Sequence, residues 1–521
     1  MFSKNTIYLL LLAVLFGQCS PKSSKNKRIQ HAEITSPKRE FRAAWIATVA
    51  NIDWPSKKGL SSDIQKREFT QIINTLNRTG INAVLVQVRA ASDALYAKSN
   101  EPWSEWLTGK QGQPPVPYYD PMEFMIEEAH SRDMEFHAWL NLNRGTHKAS
   151  DGAIARNHIT KTKPEWFLTY DGQQLFNFGL PEVREYILDI VMNIVRNYDV
   201  DGIHFDDYFY PYTVTGQTLK DGEAYRRYGK GFNSIEDWRR NNLDLLIHDI
   251  GKAIEKEKRW VKFGVSPFAV WRNKSADSAG SDTDGGQPSY DNLYADTRKW
   301  ARAGWIDYIA PQNYFSFEHD KVPYQPAAEW WSRNHGPHHL YIGHSTYRAD
   351  IQSPDRNWAN PNQIPRQIQY NRKNPEISGS IFYNTSSLLK NNLGVRDSLA
   401  SYFRLPALLP VMPWKDNTPP NAPEKLRLKK ISDSESEISW SLPEKPARDK
   451  EDIRRFIIYR FDHDETANLS NPARILAIVK NNGALKYNDK TIVRKKRYYY
   501  AITALDRLQN ESQRSDFIIL K

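Results

Sequence analysis

The chain has 521 residues, a length that predicts two or three domains. Its 40% hydrophobic and 12% aromatic content is typical of globular domains, and its single cysteine excludes a disulfide within the chain. The formal net charge is +11, but lysine and arginine are spread along the chain without a nucleic-acid motif. We therefore predict a solvated basic surface and no nucleic-acid partner, although an anionic glycan would also suit this charge.

The N-terminus has the pattern of a secretory signal. Lys4 is followed by an apolar run from Ile7 to Phe16, which is too short to span a membrane, and then by Cys19. The segment resembles a bacterial lipoprotein signal, in which the new N-terminal cysteine is lipidated. The alternative is a signal peptide with an incidental cysteine. We predict a signal at 1–19 with Cys19 as the lipidation site, and a polar tether at 20–37.

From 38 to 405, candidate strands alternate with helical patterns. The predicted strands are Phe41 to Val49, Ala83 to Arg89, Glu135 to Asn141, Gly202 to Asp206, Lys262 to Pro267, Ile306 to Gln312, His339 to Ile342 and Gly379 to Tyr383. The predicted helices are Ile64 to Thr79, Pro121 to Ser131, Pro181 to Asn197, Phe232 to Lys256 and Leu293 to Ala303. Eight βα units of this length predict an α/β fold, a (β/α)8 TIM-type barrel. An open doubly wound sheet is the alternative, but no glycine-rich phosphate loop follows any strand.

The C-terminal part of the sequence has a different character. Residues 406–420 are rich in proline and predict a linker. Short alternating segments such as 456–460 and 498–506 follow, and they predict a small all-β sandwich over 421–521. This stretch resembles a fibronectin type III domain, which implies a spacer or binding module.

The most informative segment is 200–211, with the sequence Val-Asp-Gly-Ile-His-Phe-Asp-Asp-Tyr-Phe-Tyr-Pro. It predicts a short buried strand that ends in the adjacent carboxylates of Asp206 and Asp207. In a (β/α)8 barrel, carboxylates at the C-terminal ends of strands point into the active site. The alternative is that one aspartate caps the following segment, which explains the single residue but not the cluster.

Polar and aromatic residues also recur at the ends of the other predicted strands. We predict that these residues bind substrate: Arg89, Asp93, His137, Trp139, Asn141, His204, Tyr208, Trp271, Gln312 and Tyr314. Any one of them could instead be a hydrogen-bonded residue of the core, and a lone buried histidine usually is. Their recurrence at matching strand ends favours a site.

Carboxylates, amides and aromatics without a nucleophilic serine or cysteine motif indicate glycoside hydrolysis, which needs one charged carboxylate and one carboxylic acid. We predict that Asp206 is the charged partner, kept ionised by Arg89, and that Asp207 is the acid. Other candidates for the acid are Asp93, Asp53 and Glu318, which also lie just past strand ends. The sequence leaves the retaining and inverting mechanisms open.

We predict no cofactor and no metal. A metal site formed by His204, Asp206 and Asp207 is a weaker interpretation, because no second histidine or carboxylate falls at helical ligand spacing nearby.

Several blocks together resemble one family. The segments 41–55, 87–89, 93–96, 137–139, 201–208, 264–267, 271–272 and 307–312 resemble the glycosyl-hydrolase-like 10 family over about 38–405. The resemblance implies a (β/α)8 barrel on a bacterial envelope protein. It also implies an activity like that of a divisome-localised member, which cuts peptidoglycan glycan strands stripped of their peptides, and it supports Asp206 as a catalytic carboxylate. Ala90-Ala91-Ser92 departs from the Pro- and Gly-containing turn of the family, which could alter one subsite.

We therefore predict a glycoside hydrolase held in the cell envelope by an N-terminal lipid anchor, on the periplasmic face rather than the cell surface. Two alternatives stay open: a hydrolase of another extracellular polysaccharide, and a glycan-binding lipoprotein without catalysis. The paired carboxylates argue against the second, since a pure binder has no need to bury them.

Overall fold

The structure, a computed structural model, describes residues 36–443, 453–462 and 468–520. The predicted signal, tether and Cys19 lie outside these residues, apart from 36 and 37. Ten strands lie before residue 384: β1 (Phe41–Ile46), β2 (Ala83–Arg89), β3 (Glu135–Leu140), β4 (Phe167–Tyr170), β5 (Gln173–Phe176), β6 (Gly202–Phe205), β7 (Lys262–Val265), β8 (Tyr308–Ile309), β9 (His339–Ser345) and β10 (Ile377–Tyr383).

Thirteen α-helices are described between residues 62 and 402. They are α1 (Ser62–Thr79), α2 (Glu105–Thr108), α3 (Pro121–His130), α4 (Ile159–Thr162), α5 (Pro181–Asn197), α6 (Gly222–Tyr228), α7 (Ile235–Glu257), α8 (Ser289–Asn292), α9 (Thr297–Arg302), α10 (Tyr324–Asn334), α11 (Gln363–Lys373), α12 (Thr385–Lys390) and α13 (Val395–Tyr402). None of the helices in the described residues is long and apolar enough to cross a membrane.

Eight of the strands close into a parallel barrel in the order β1, β10, β9, β8, β7, β6, β3, β2. The predicted (β/α)8 barrel is therefore confirmed. Strands β4 and β5 are not part of it: they form an antiparallel hairpin between β3 and α5 that was not predicted from the sequence. This hairpin lies on the loop side of the barrel, where insertions shape the site.

The ends of several predicted elements are corrected. β1 ends at Ile46 rather than Val49, because the backbone N–H groups that follow bond to side chains instead of a neighbouring strand. Thr48 and Val49 donate to Gln87 Oε1, and Ala47 donates to Asp53 Oδ2. The segment 306–312 forms only the two-residue β8. The helix predicted from 293 starts at Thr297, since Asp296 caps it by accepting a bond from the Lys299 N–H.

Two apolar layers hold the barrel together. One lies between the strands and the surrounding helices, and the apolar positions of α5 at Val183, Ile187 and Val191 face it, as the helical period predicts. The other fills the barrel interior with large rings. It is formed by Phe41, Trp45, Trp139, Tyr308 and Tyr341 together with smaller apolar residues.

The C-terminal strands form two facing antiparallel sheets, in agreement with the predicted sandwich. The first sheet contains β11 (Glu424–Lys430), β12 (Ser436–Ser441) and β15 (Lys486–Asp489). The second contains β13 (Arg455–Phe461), β14 (Ile475–Lys480), β16 (Tyr498–Leu505) and β17 (Ile518–Leu520). A core that includes Ile438, Trp440 and Tyr500 lies between them.

The segment 406–420 is packed against the barrel. Leu408 and Met412 are buried, and the backbone of Leu408 pairs with that of residues 38 and 40. The proline-rich segment 406–420 therefore lies along the barrel surface in extended contact with it.

Candidate active site

The structure brings Asp206 and Asp207 into one cavity at the carboxyl end of the barrel. β6 ends at Phe205, so the alternation of side chains along a strand no longer separates the two aspartates. Both are nearly buried, with 6% of each residue exposed. The cavity has a volume of about 320 Å³. It is lined by Trp45, Trp139, Asp206, Asp207, Tyr208, Tyr212, Ser266, Phe268, Gln312, Tyr314, Phe315, Tyr347, Arg348 and Tyr383.

The Asp206 carboxylate is held by three N–H donors. Trp139 Nε1 lies 3.1 Å from Oδ2, and Asn141 Nδ2 lies 3.1 Å from the same oxygen. The backbone N–H of Tyr208 donates to Oδ1 at 3.2 Å. None of these three N–H groups can accept a hydrogen bond from a protonated Asp206. This set of partners therefore favours the ionised form of Asp206.

Asp207 has a different set of partners. Gln312 Nε2 donates to Oδ1 at 3.0 Å, and the Tyr212 hydroxyl contacts Oδ2. A hydroxyl can donate to a carboxylate or accept from a carboxylic acid. Asp207 can therefore keep both hydrogen bonds whether or not it is protonated.

The two carboxyl groups share a protonation equilibrium. Burial raises the pKa of Asp206 to about 6, with a further increase from the charge of Asp207 and an opposing effect of the Arg144 guanidinium. Burial also raises the pKa of Asp207, opposed by the hydrogen bonds from Tyr212 and Gln312 and by Arg144. The pair thus keeps a proton at a higher pH than two isolated aspartates would, which provides one acid and one charged carboxylate.

Aromatic rings form the walls around this pair. Tyr314 stacks on Tyr383 with centroids 5.9 Å apart and an interplanar angle of 14°, and Tyr347 meets Tyr383 edge-on at 5.8 Å. Tyr208 and Tyr212 form a second edge-to-face pair at 5.7 Å. Rings that combine an apolar face with a hydroxyl suit the apolar and polar sides of a sugar.

Several predicted site residues meet at this cavity. Six of them line it: Trp139, Asp206, Asp207, Tyr208, Gln312 and Tyr314. A seventh, Asn141, donates to the Asp206 carboxylate. Their contacts and roles with a substrate stay predictions.

His137 and His204 are placed deeper, inside the barrel. The Tyr308 hydroxyl joins them, 2.9 Å from His137 Nδ1 and 3.0 Å from His204 Nδ1. Trp45 Nε1 donates to His204 Nε2 at 3.2 Å, which assigns the proton of a neutral ring to Nδ1. Burial and the nearby His137 hold the pKa of His204 well below its usual range. These histidines support the floor of the site and do not line the cavity.

The prediction that Arg89 keeps Asp206 ionised is wrong. Arg89 is fully buried and forms a two-pronged ion pair with Glu101, at 2.7 Å for both bonds, and its third donor group bonds to the backbone oxygen of Asn141. The cation that opposes the rise in the pKa of both catalytic candidates is Arg144. The sequence could not separate the two arginines, because Glu101 lies in a loop with no periodic pattern.

Four further candidates lie outside the cavity lining. Asp93 is buried, and its Oδ1 accepts a hydrogen bond from the Ala91 N–H. Trp271 donates to Asp296 and stacks on Trp330. The two remaining alternatives for the acid, Asp53 and Glu318, are also engaged elsewhere. Asp53 bonds to the backbone N–H groups of Ala47 and Ser386, and Glu318 pairs with Arg366.

Other residues of the site were not predicted. Tyr212 and Arg144 are the most important of these. Tyr212 belongs to the same aromatic cluster as Tyr208, so its position was a usable signal, whereas Arg144 follows Asn141 in a loop whose course only the fold reveals. Among the described residues, no group of three or more His, Cys, Asp or Glu side chains is arranged to hold a metal ion.

Comparison with known proteins gives a consistent family. Residues 40–360 match the family model described as Glycosyl hydrolase-like 10. The chain is 42% identical over 483 residues to Glycosyl hydrolase YngK of Bacillus subtilis (strain 168), covering 92% of each chain. It is 36% identical over 410 residues to Glycosyl hydrolase DigH of Escherichia coli (strain K12), covering 73% of this chain and 92% of that one.

The chain also matches solved structures, at low sequence identity. Chitinase ChiA74 from Bacillus thuringiensis is 10% identical, covering 93% of this chain and 84% of that one, with a TM-score of 0.40. The PgaB (BpsB) glycoside hydrolase domain from Bordetella bronchiseptica is 12% identical, covering 69% and 99%, with a TM-score of 0.41.

Proposed function

The chain belongs to the glycosyl hydrolase-like 10 family and is a glycoside hydrolase, and we propose that it cleaves peptide-stripped peptidoglycan glycan strands with Asp206 and Asp207. The observation that supports this proposal best is the pair of buried carboxylates in one cavity with different hydrogen-bond partners. Hydrolysis of a glycosidic bond needs this difference, because one group must give up a proton while the other stays charged.

The roles of the two carboxylates follow from their partners. Asp207 protonates the leaving oxygen, since its contact with the Tyr212 hydroxyl persists in the protonated state. Asp206 stays ionised among its three N–H donors and stabilises the positive charge that develops on the sugar. Once Asp207 has released its proton, the charge of Arg144 stabilises the resulting carboxylate.

The substrate is the one that the family resemblance implies. Two sets of tyrosines flank the carboxylates, and the chain is basic overall, which suits a glycan whose sugar units carry carboxylates. We further propose that Cys19 is lipidated and holds the enzyme in the cell envelope, on the periplasmic face.

The test is digestion of purified, peptide-stripped glycan strands by the full-length protein in detergent. We expect short amino-sugar oligosaccharides from the wild type. Asp206→Asn should lower kcat by at least about 10³-fold, and Asp207→Asn by about 10²- to 10⁴-fold, the usual contribution of a general acid. The matched control is Asp63→Asn, which removes an exposed carboxylate on α1 and should leave the rate unchanged.

Other outcomes would favour the alternatives. Cleavage of another polysaccharide but not of these strands would keep the enzyme and change its substrate. Tight glycan binding without any cleavage would favour a binding lipoprotein. Full activity of Asp206→Asn would remove Asp206 from the centre of the mechanism.

The anchor is tested separately by fractionation of cells that express the wild type or Cys19→Ser. We expect the wild type in the membrane fraction, protected from protease added to intact cells, and the variant in the soluble fraction. A variant that stays with the membrane would contradict lipidation at Cys19.

A further inference from the structure

A second cavity lies beside the candidate active site. It has a volume of about 280 Å³ and shares Tyr208 and Tyr212 with the first cavity, so these two rings form a common wall. Its lining consists of Asn143, Arg144, His147, Lys148, Tyr170, Asp171, Gln173, Leu175, Tyr208, Pro211, Tyr212 and Val214. The common wall places this cavity next to the one that holds Asp206 and Asp207.

Arg144 makes this cavity positive. Its guanidinium stacks on the Tyr208 ring, 4.0 Å from the centroid, and the residue is only 9% exposed. In the described part of the chain, no carboxylate lies within 4.0 Å of its nitrogens. The charges of Asp206 and Asp207 act on Arg144 from beyond this distance, so its guanidinium is placed to bind a further anion in this cavity.

The β4–β5 hairpin also lines the second cavity, through residues 170–175. Lys148 lines the cavity and pairs with Asp171 in the turn of the hairpin. His147 lies next to Lys148, and burial together with Arg144 lowers its pKa to about 4, so this ring adds hydrogen-bonding capacity rather than charge. The charges of Lys148 and Asp171 cancel, so the net positive charge of the lining comes from Arg144.

Asn143 gives an independent indication of a ligand. The residue is 2% exposed and lines the cavity, and its Oδ1 has no hydrogen-bond partner among the residues that the structure describes. A buried amide oxygen normally accepts a hydrogen bond. An N–H donor such as the acetamido group of an amino sugar would satisfy it.

We propose that this second cavity is a sugar-binding subsite that recognises a carboxylate-bearing amino sugar next to the bond to be cut, through Arg144 and Asn143. The inference rests on the proposed function, and it assigns recognition of the sugar carboxylate in those strands to Arg144 in this second cavity. Neutral amino-sugar polymers lack the anion that the Arg144 guanidinium would bind.

The test compares two forms of one substrate. Peptide-stripped strands are used either with free muramic acid carboxylates or after carbodiimide coupling to methylamine, which turns each carboxylate into a neutral amide. The measured quantity is the ratio of kcat/KM for the native strands to kcat/KM for the amidated strands. We expect a ratio of about 10 or more in the wild type, the usual effect of one charge-assisted hydrogen bond.

The ratio also isolates recognition from catalysis, because any effect of Arg144 on the pKa of the two aspartates acts on both substrates. Arg144→Met should bring the ratio close to one. The matched control is Arg348→Met, which removes a guanidinium from the lining of the first cavity only and should preserve the ratio. Asn143→Asp adds a carboxylate to the subsite and should lower kcat/KM for native strands more than for amidated ones.

The outcomes separate the two proposals. No cleavage of either substrate by the wild type would refute the proposed function. Equal cleavage of both by the wild type would keep that function and overturn the subsite. A ratio that collapses in Arg348→Met but not in Arg144→Met would also overturn it, since the anion would then bind on the other wall.

Discussion

At the scale of single residues, the neighbours of each carboxylate decide its role. Asp206 and Asp207 are adjacent and equally exposed, so position and burial do not separate them. Their partners do: N–H donors surround Asp206, and a hydroxyl contacts Asp207. This difference gives a pH dependence that can be measured.

We predict that Tyr212→Phe shifts the alkaline limb of the kcat/KM profile to higher pH. Burial raises the pKa of Asp207, and the Tyr212 hydroxyl opposes this by donating to the carboxylate. Without the hydroxyl the pKa rises further, and the acid stays protonated over a wider range.

The matched control for that profile is Tyr347→Phe. Tyr347 lines the same cavity, but its hydroxyl accepts a bond from Arg348 and does not contact Asp207. Its alkaline limb should stay where the wild type has it. A Tyr212→Phe profile that moves to lower pH would contradict the assignment of Asp207 as the acid.

At the scale of elements, the packing of the barrel interior requires a glycine in β6, Gly202, and another in β7, Gly264. A Cβ at Gly202 would lie 2.5 Å from His137 Nδ1, and a Cβ at Gly264 would lie 1.9 Å from the Tyr308 ring. These glycines leave room for the rings that support the floor of the site.

We predict that Gly202→Ala destabilises the fold by about 1–3 kcal/mol, the usual cost of overpacking, because the His137 ring must move. The measurement is urea denaturation followed by tryptophan fluorescence. Gly222→Ala is the control, since a Cβ there meets nothing within 4 Å. Equal midpoints for the two variants would show that the interior can adapt.

A second prediction for the barrel interior concerns Tyr308 of β8, whose hydroxyl forms hydrogen bonds with His137 and His204. Tyr308→Phe leaves two buried ring nitrogens without this partner and should cost about 1–3 kcal/mol. Tyr118→Phe, at a residue that is 68% exposed, should cost almost nothing in the same denaturation experiment. An unchanged free energy of unfolding for Tyr308→Phe would mean that the two histidines form hydrogen bonds with other partners.

At the scale of the whole molecule, the sandwich is joined to the barrel by ion pairs at the end opposite the site. Arg507 of the sandwich lies 2.7 Å from Asp199 and 3.3 Å from Asp201, and Arg455 lies 3.0 Å from Asp133. His130 Nε2 lies 2.7 Å from Asp201 in the same group. The carboxylates involved lie just before β3 and β6.

We predict that Arg507→Gln lowers the free energy of unfolding by roughly 1–3 kcal/mol, the usual range for a hydrogen bond to a charged group, because Asp201 keeps its charge without this partner. Lys430→Gln, which breaks an exposed ion pair within the sandwich, is the control and should change stability by less than about 1 kcal/mol. An unchanged thermal midpoint of Arg507→Gln would show that apolar contacts alone hold the sandwich in place.

The same group predicts a pH dependence of stability. Burial disfavours the charged form of His130, but Asp201 and Asp199 outweigh this and raise its pKa. The stabilisation from the protonated ring is therefore complete below the unfolded pKa of about 6.5 and is lost as pH rises through the higher folded pKa. The stability difference between wild type and His130→Gln should be larger near about pH 6 than near about pH 9. A constant difference would contradict this sign.

The sequence by itself determined the alternation of strands and helices, because hydrophobic periodicity is local, and therefore the barrel class and the end of β6 with its two aspartates. It also indicated Trp139, Gln312 and Tyr314, since the ends of parallel strands meet at one edge of a barrel. The partners of these residues depended on the tertiary structure. Arg89 and Arg144 are both arginines near strand ends, and only the loop paths give Glu101 to one and the neighbourhood of Asp206 and Asp207 to the other. Charges act through space, so the electrostatics of the site follow from distances that no local pattern contains.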